Sequence, residues 1–161
     1  MATPTYVPLA TVTLASNDAQ ITFANIPSTY RDLILVANIT GLAGTPTAQG
    51  GYMRVNGVSS GYTDTSMYNG GGGANLAGSG ATFYPFNINP GIYITQFMGY
   101  SATDRHKIFL SRLDAAGGLA GAIAHKWANN AAITSITLFS PDSGADSFNT
   151  GSRFSLYGIH A

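Results

Sequence analysis

The sequence predicts an all-β protein, an antiparallel β-sandwich of jelly-roll type that forms a single domain over residues 1–161. Composition is the first reason: the chain has no Glu and only two Lys, whereas Thr, Ser, Gly, Asn, Ile and Tyr are frequent. This set of residues favours pleated strands joined by turns. The second reason is that β-branched and aromatic residues concentrate in short segments between turn signals, a pattern typical of sandwiches, jelly rolls and barrels.

We predict a series of short strands, each bounded by turn-forming Asn, Asp, Gly, Pro or Ser. They lie at residues 6–14, 20–23, 32–39, 52–56, 63–68, 82–88, 92–100, 107–113, 123–127, 133–139 and 154–159. Pro8 places the first strand at a sheet edge, because proline cannot donate a hydrogen bond to a neighbouring strand. The apolar run 33–37 suits a strand that is buried on both faces, or one whose outer face meets a partner.

The last predicted strand has two distinct faces. Because side chains alternate along a strand, Phe154 and Leu156 share one face with Gly158. We expect this face to point into the core, with Phe154 and Leu156 paired with Ile136 and Leu138 of a neighbouring strand.

Two glycine-bearing segments fit the strand pattern less well. Residues 115–126 are the one candidate helix, although their glycines disfavour it. Residues 69–80 are low in complexity, and we predict a long surface loop there. This loop does not match a phosphate-binding motif, because the Lys that ends a Walker sequence is absent.

Low charge limits the partners that the protein can have. Seven Lys and Arg residues balance seven Asp residues, and charged residues make up 9% of the chain. Nucleic-acid binding needs clustered cations, so we exclude that class of partner. A hydrophobic fraction of 45% on so sparsely charged a chain predicts that another protein covers part of its surface.

Three further features are missing from the sequence. Without Cys there are no disulfides and no thiolate metal sites. No segment has the roughly 20 apolar residues of a membrane helix, so we expect no membrane partner. Residues 1–6 have neither a basic nor a long apolar region, so we expect no secretory signal peptide.

Ser101, Asp104 and His106 are the residues that most resemble a catalytic group in the sequence. They are too close along the chain to form a triad, because neighbouring residues of one strand or turn point in different directions. We therefore predict a polar turn there. Since no other nucleophile or acid–base pair has a catalytic spacing, the sequence predicts a protein without enzymatic activity and without a cofactor.

Metal binding is the alternative interpretation for two other groups. Asp142 and Asp146 carry oxygen ligands suited to calcium, but their spacing is not that of an EF-hand, and a turn is favoured. His106, His125 and His160 are scattered, so a zinc site would need distant strands to converge on them. We expect no required metal.

Aromatic residues have two possible roles in this chain. Trp127 is predicted to anchor the core, with sugar stacking as the alternative. Tyrosines within Gly-, Ser- and Asn-rich segments suit either protein–protein contact or packing inside the sandwich. These tyrosines are Tyr52, Tyr62, Tyr68, Tyr84, Tyr93 and Tyr100.

Five segments form an ordered series that covers most of the chain, from about Tyr6 to Ile159. They are IPSTYRDL at 26–33, MRVNG at 53–57, YSATDRHK at 100–107, AAITSITL at 131–138 and FSLYGI at 154–159. This series resembles a group of small β-rich virion proteins of tailed bacteriophages, cyanophages among them. The resemblance implies a structural protein of the virion, either a capsid decoration (cement) protein or a head or tail fibre module, and it brings no catalytic motif.

The sequence and the resemblance together predict a capsid decoration protein on the outer surface of the virion capsid. Its partners would be the major capsid protein and further copies of the chain in a homotrimer. The alternative is a tail-fibre or receptor-binding module that recognises cell-surface carbohydrate. Aromatic and Arg side chains contribute most of the binding energy of protein interfaces. We expect such side chains to make the contacts, at loops and sheet edges. The candidate interface residues are Tyr6, Tyr62, Tyr68, Phe83, Tyr84 and Arg105.

Overall fold

The computed structural model describes residues 5–44, 51–69, 74–83, 90–116, 119–140 and 146–160, and of residues 74–77, 83, 115 and 119 it describes the backbone alone. The described residues form fourteen strands, numbered β1 to β14 in chain order, and no helix. Accordingly, this part of the chain contains no helix that could span a membrane. All strand pairs within it are antiparallel, so the all-β antiparallel prediction is confirmed.

Eight of these strands form the larger sheet. Their order across the sheet is β1 (Tyr6–Thr13), β14 (Arg153–Ile159), β3 (Asp32–Ile39), β9 (Gly91–Met98), β10 (Lys107–Ala115), β11 (Leu119–Trp127), β6 (Tyr62–Tyr68) and β7 (Ala74–Gly78).

The remaining described strands form a smaller sheet and a short ribbon. The smaller sheet has the order β2 (Gln20–Phe23), β12 (Ile136–Phe139), β5 (Gly51–Val55) and β8 (Ala81–Phe83), and the ribbon pairs β4 (Leu42–Ala43) with β13 (Ser147–Phe148). From β1 to β3 the chain passes from the larger sheet to the smaller and back. This exchange between two layers is that of a jelly roll, so the predicted sandwich is confirmed.

The core lies between the two sheets and is filled by large apolar side chains from both. On the larger sheet, Phe97 and Phe109 point inward with ring centroids 4.9 Å apart. Trp127 is buried and stacks on Tyr62, with 6.3 Å between ring centroids. Each fully buried side chain of this size stabilises the fold by about 1.5–3 kcal/mol. The prediction that Trp127 anchors the core is confirmed.

Two predictions about strand position are confirmed. Among the described strands, β1 pairs with β14 alone, so the Pro8 strand is an edge, and its register shifts between Pro8 and Ala10. The apolar run 33–37 lies inside β3, between β14 and β9. One face of β3 is buried, whereas Ile34 and Val36 on the other face are half-buried. Of the two alternatives for this strand, the structure favours an outer face that is free to meet a partner.

The predicted neighbours of the last strand are wrong. Phe154 and Leu156 are buried as expected, but β14 pairs with β1 and β3. Ile136 and Leu138 lie in β12 of the smaller sheet and contribute to the core from the opposite layer. Alternation along a strand determines which face is apolar, and it carries no information about the strand's neighbours.

Two glycine-bearing segments form strands that the sequence predicts only in part, as at 123–127, or not at all. The candidate helix at 115–126 is largely β11, which pairs with both β10 and β6. Within the predicted loop at 69–80, residues 74–78 form β7 along the edge of β6. In both cases neighbouring strands supply hydrogen-bond partners, and these outweigh the low intrinsic strand preference of Gly, Ala and Asn.

Candidate functional site

Exposed large hydrophobic residues of the described chain all lie on the outward side of the larger sheet. They are Tyr6, Met67, Ile92, Met98, Ile108 and Leu110. Their common side follows from the register, because directly opposed residues of antiparallel strands share a face. We call the outward side of β6, β9, β10 and β11, with the last five of these residues, the outer apolar face.

Cross-strand pairing shows which residues of the outer apolar face are neighbours. Ile108 on β10 lies opposite Met98 on β9, and Leu110 follows it two residues later on the same side. Met67 on β6 lies opposite Ala122 on β11. Since directly opposed Cβ atoms lie roughly 4.5–5.5 Å apart, Ile108 and Met98 are neighbours, whereas Ala122 and Ala124 of β11 separate Met67 from β10. Ile108 is 52% exposed and Met67 60% exposed, so the face is largely open to water.

Three charged residues lie on the outer apolar face. Lys126 is opposite Ile108, at one end of the β10–β11 pair, and Asp114 is opposite Ala120, at the other end. Arg112 lies on β10 between these ends. All three side chains are exposed, and none forms an ion pair or a side-chain hydrogen bond with another described residue. Their charges are therefore available to a partner.

The inward side of the same strands carries a buried chain of polar groups. Asp64 on β6 and His125 on β11 are direct cross-strand partners, and Asp64 Oδ1 is 2.8 Å from His125 Nδ1. His125 Nε2 is in turn 2.8 Å from Ser111 Oγ on β10. Asp64, His125 and Ser111 are at most 2% exposed. The order Asp, His, Ser is that of the hydrolase triad, in which His removes the hydroxyl proton.

Neighbouring groups close this polar chain on every side that the structure describes. Ser111 Oγ is also 2.9 Å from Thr95 Oγ1, which is itself buried. The backbone N–H of Thr82 on β8 donates to Asp64 Oδ2, and the Tyr93 hydroxyl donates to the Thr82 carbonyl at 3.0 Å. Burial raises the pKa of Tyr93 far above its usual value, so this hydroxyl stays protonated.

The buried polar network therefore ties the two sheets together, because Asp64 of the larger sheet accepts from Thr82 of the smaller sheet and Tyr93 donates to Thr82. Ser111 Oγ is buried on the inward side of β10, where His125 and Thr95 are its hydrogen-bond partners. Satisfied polar groups in a core fix one register and one packing arrangement, because any slip leaves a donor or acceptor unpaired. Sequence reasoning missed this row of buried polar groups. Its signal was the presence of polar residues at the inward positions of β6, among them Asp64 and Ser66.

An apolar groove of about 290 Å³ lies between β1 and β2, at the open side of the sandwich. Leu9, Val12, Phe23, Ile26 and Leu156 line its apolar walls. Small-molecule sites usually have volumes of roughly 300–1,000 Å³, so the groove is at the small end of that range. It fits a single side chain of a partner better than a polymeric ligand.

Two of the predicted interface residues are exposed. Tyr6 lies on the outward side of edge strand β1, where it is 56% exposed. Arg105 lies in the turn before β10, and its guanidinium binds the Asp104 carboxylate with an Nη2–Oδ2 distance of 2.7 Å. This ion pair lowers the pKa of Asp104. Tyr6 and Arg105 are on different parts of the surface: a sheet edge and a turn.

Tyr62 is a correction to the predicted interface. Its side chain is 2% exposed and stacks on Trp127, and its hydroxyl accepts a hydrogen bond from the Val55 backbone N–H at 2.9 Å. Tyr62 therefore belongs to the core, because its ring extends inward from β6 to the smaller sheet. Tyr68 is half-buried on the same strand. The Phe83 side chain and Tyr84 lie outside the described residues.

The turn before β10 has the polar character that the sequence predicts. Asp104 and His106 are exposed, and Ser101 is half-buried. The Lys107 side chain is buried, and its ammonium group donates to the carbonyls of Ala102, Arg105 and Asn130. Burial lowers the pKa of Lys107, because desolvation penalises the charged form.

The predicted metal-binding alternatives are not brought together in the described residues. Asp142 lies outside those residues, whereas Asp146 is buried and neither of its carboxylate oxygens has a hydrogen-bond partner among them. His106 is exposed, His125 belongs to the buried polar chain, and His160 packs near a tyrosine ring. No group of three or more His, Asp or Glu ligands forms in this part of the chain.

Comparison with known proteins gives structural neighbours alone. No protein-family model matches the chain, and no curated protein matches it. One similar solved structure is the marine PL-14 alginate lyase from Aplysia kurodai, with 10% identity, a TM-score of 0.43 and coverage of 83% of this chain and 71% of that one. Another is the alginate lyase vAL-1 from Chlorella virus, with 11% identity, a TM-score of 0.36 and coverage of 93% and 82%.

These neighbours correct one prediction from the sequence. The sequence predicts a protein without enzymatic activity, whereas both of these solved structures are enzymes, and we withdraw that prediction.

Proposed function

We propose that this chain is a structural protein of a tailed-phage virion, a capsid decoration protein that assembles through the outward side of its larger sheet. The observation that carries the proposal is the outer apolar face. Monomeric proteins rarely expose contiguous apolar patches larger than a few hundred Å², and larger ones mark interaction surfaces. Here the exposed large hydrophobics of the described chain are gathered on one side of one sheet.

The charge of the chain supports permanent coverage of this face. Net charge is zero at pH 7 and charged residues make up 9% of the chain. Like-charge repulsion, which keeps free proteins apart in solution, is therefore weak. Such a chain suits a permanent place in an assembly, where protein contacts replace solvation of the apolar surface.

Decoration would work by mass action on the assembled shell. A protein that binds the assembled capsid, and not its separated subunits, shifts the equilibrium toward the assembled state. Large area and a few well-packed anchors are what this task requires. The resemblance to β-rich virion proteins over most of the chain supports the same role, with the major capsid protein as partner.

The experiment is a binding assay with capsid shells that lack this chain, prepared from the phage that encodes it. Purified protein is mixed with the shells, and co-sedimentation and electron cryomicroscopy measure occupancy and position. Ile108→Asp puts a charge in the outer apolar face, and Ser60→Asp puts the same charge on an exposed loop as a matched control. We expect wild-type and Ser60→Asp chains to decorate the shells, and Ile108→Asp chains to bind them more weakly.

Two results decide the proposal. Decoration by the wild-type and control chains, together with higher thermal stability of the decorated shells, supports it. Absence of binding to shells, combined with binding to glycans of the host cell surface, would overturn it in favour of the receptor-binding alternative. Circular dichroism confirms that each variant is folded.

A further inference from the structure

We propose that the outward side of the smaller sheet binds acidic saccharides, with the Arg54 guanidinium holding a sugar carboxylate. This face is formed by β2, β12 and β5, whose inward residues fill the core. It lies on the opposite side of the sandwich from the outer apolar face, so a chain docked through the outer apolar face still presents it. The inference goes beyond the proposed function and does not depend on it.

Strand register arranges the outward side chains of the smaller sheet in two rows. Because residues alternate along each strand and directly opposed residues share a face, the outward positions follow from the buried ones. The first row is Gln20, Phe139 and Tyr52, and the second row is Thr22, Thr137 and Arg54. Arg54 is the one charged residue of these six, so the two rows together carry a positive charge.

The Arg54 guanidinium is held in place by the protein. Its Cζ lies 4.8 Å from the ring centroid of Tyr52 and 5.0 Å from that of Phe139. These two rings stack on each other with their centroids 5.1 Å apart. Arg54 Nε donates a hydrogen bond to the Ser79 carbonyl at 2.9 Å. A guanidinium that is already positioned loses less conformational freedom when a ligand binds.

The two Nη groups of Arg54 identify the kind of ligand. They form no hydrogen bond with another described residue, and Arg54 belongs to no ion pair in this part of the chain. Paired guanidinium N–H groups are the donors that a carboxylate accepts in a bidentate pair. One cation balances the single charge of a carboxylate, whereas a phosphomonoester carries up to two charges.

Hydroxyl and amide groups beside Arg54 favour a saccharide. Thr137 lies directly opposite Arg54, and its Oγ1 is 3.0 Å from Thr22 Oγ1. One hydroxyl hydrogen is used between the two threonines, so the other hydrogen and the remaining lone pairs are available to a ligand. The Gln20 side-chain amide, which is exposed, adds donors and an acceptor. Sugar hydroxyls both donate and accept, and these groups can meet both requirements.

The position of β12 and β5 disfavours an acidic peptide as the ligand. An extended peptide commonly binds by adding a strand to a free sheet edge. β12 pairs with β2 and β5, and β5 pairs with β12 and β8, so the backbone groups of both strands are already used. A ligand over these strands is therefore held by side chains alone.

Oligogalacturonate and its methyl ester test the inference with one polymer backbone. The ester keeps the ring hydroxyls and removes the charge of the carboxylates. Amide chemical shifts of the full chain, measured by NMR during titration, give the dissociation constant and the residues affected. We expect oligogalacturonate to shift residues of β2, β12 and β5. We expect the ester to bind at least about 10-fold more weakly, because the charge-assisted pair with Arg54 is lost.

Substitutions of arginine test the same contact from the protein side. Arg54→Gln should weaken oligogalacturonate binding at least about 10-fold. Arg54→Lys should fall between this variant and the wild type, because lysine keeps the charge and lacks the bidentate fork. Arg153→Gln is the matched control, since it removes an exposed arginine from β14 of the larger sheet. That control should bind within about 2-fold of the wild type. Circular dichroism checks that each variant is folded.

Several outcomes would overturn the inference. They are no binding of oligogalacturonate, equal binding of the acid and the ester, chemical-shift changes confined to other faces, or equal weakening by Arg54→Gln and Arg153→Gln. Tighter binding of a polyglutamate peptide than of oligogalacturonate would overturn it in favour of an acidic peptide. The comparison of acid with ester uses the wild-type chain, so it decides the matter even if Arg54→Gln does not fold.

The shell-binding assay separates this inference from the proposed function. Arg54→Gln should decorate capsid shells as the wild type does, because Arg54 lies on the side away from the outer apolar face. Shell decoration without saccharide binding leaves the proposed function standing and overturns the saccharide site. Saccharide binding through Arg54 without shell decoration supports the saccharide site alone.

Discussion

Asp64 and His125 are direct cross-strand partners whose side chains bind each other at 2.8 Å in the interior of the protein. Both lie on the inward side of the sheet whose outward side is the outer apolar face. One side of β6 and β11 therefore holds a closed polar chain, and the other offers apolar surface. The polar chain fixes the strand register, and that register places Met67 and Ala122 side by side on the outer side.

His125→Ala should destabilise the protein by about 3–5 kcal/mol, because it leaves Asp64 buried without one of its partners. His106→Ala is the matched control, since His106 is exposed in a turn. That control should change stability by less than about 0.5 kcal/mol. Urea unfolding followed by circular dichroism measures both. A loss under about 1 kcal/mol for His125→Ala would show that the polar chain contributes little to the fold.

Leu156→Ala should cost about 2–5 kcal/mol, because the Leu156 side chain is 1% exposed and its removal leaves a cavity. The control is Leu110→Ala, which removes the same atoms from an exposed position on β10. At concentrations where the chain is monomeric, the control should cost less than about 1 kcal/mol. Equal losses at both positions would contradict the assigned faces of the larger sheet.

Stability should fall as the pH rises above about 10, the unfolded-state pKa of tyrosine. Burial raises the pKa of Tyr62, Tyr93 and Tyr100 in the folded protein. Above pH 10 the unfolded chain releases protons that the folded chain keeps, so the equilibrium shifts toward unfolding. The contribution of Lys107 to the pH dependence of stability has the opposite sign, because burial lowers its pKa in the folded protein. Between its pKa in the folded protein and its pKa in the unfolded chain, this contribution raises stability as the pH rises. Three tyrosines outweigh this single lysine.

Absorbance at 295 nm measures tyrosine ionisation during an alkaline titration, and circular dichroism measures unfolding in the same samples. Of the nine tyrosines, the three buried ones should ionise only when the fold is lost. Tyr93→Phe should reduce the alkaline loss of stability. Complete ionisation of all nine near pH 10, with circular dichroism unchanged, would contradict this prediction.

Gly158→Ala should destabilise the protein, because a Cβ at this position would lie 2.4 Å from the Tyr30 ring. The ring or the strand must move, and such overpacking typically costs about 1–3 kcal/mol. A double-mutant cycle with Tyr30→Ala provides the control. If the clash is the cause, Gly158→Ala should cost much less once the Tyr30 ring is absent. Additive losses, measured by thermal unfolding, would rule out the ring as the cause.

Much of the fold can be predicted from local sequence, because β-branched and aromatic runs mark strands directly. The predicted bounds of the strands at 20–23 and 32–39 agree with β2 and β3. β7 was missed because its Ala, Asn, Leu and Gly residues have little strand preference of their own, and it exists by pairing with β6. The place of β12 in the smaller sheet was missed for a related reason, since periodicity does not say which strands are neighbours.

The candidate site was harder to predict than the fold. Asp64, Ser111 and His125 are far apart in the sequence, and only the three-dimensional register of β6, β10 and β11 brings them together. The outer apolar face had a clearer signal. In Ile108-Phe109-Leu110 three successive residues are apolar, so both sides of β10 must be apolar, although Phe109 alone is buried. The predicted interface relied on tyrosine, and Tyr62 shows that the same residue type serves the core equally well.

The Pro8 edge also bears on how this protein avoids aggregation. A strand added to β1 would meet a proline without an N–H and a shifted register between Pro8 and Ala10. Sheet growth along this edge, the route by which β-rich chains polymerise into fibrils, is therefore obstructed. For a chain in which charged residues make up 9%, this obstruction matters, because weak charge repulsion alone would not keep exposed strand edges of separate copies apart.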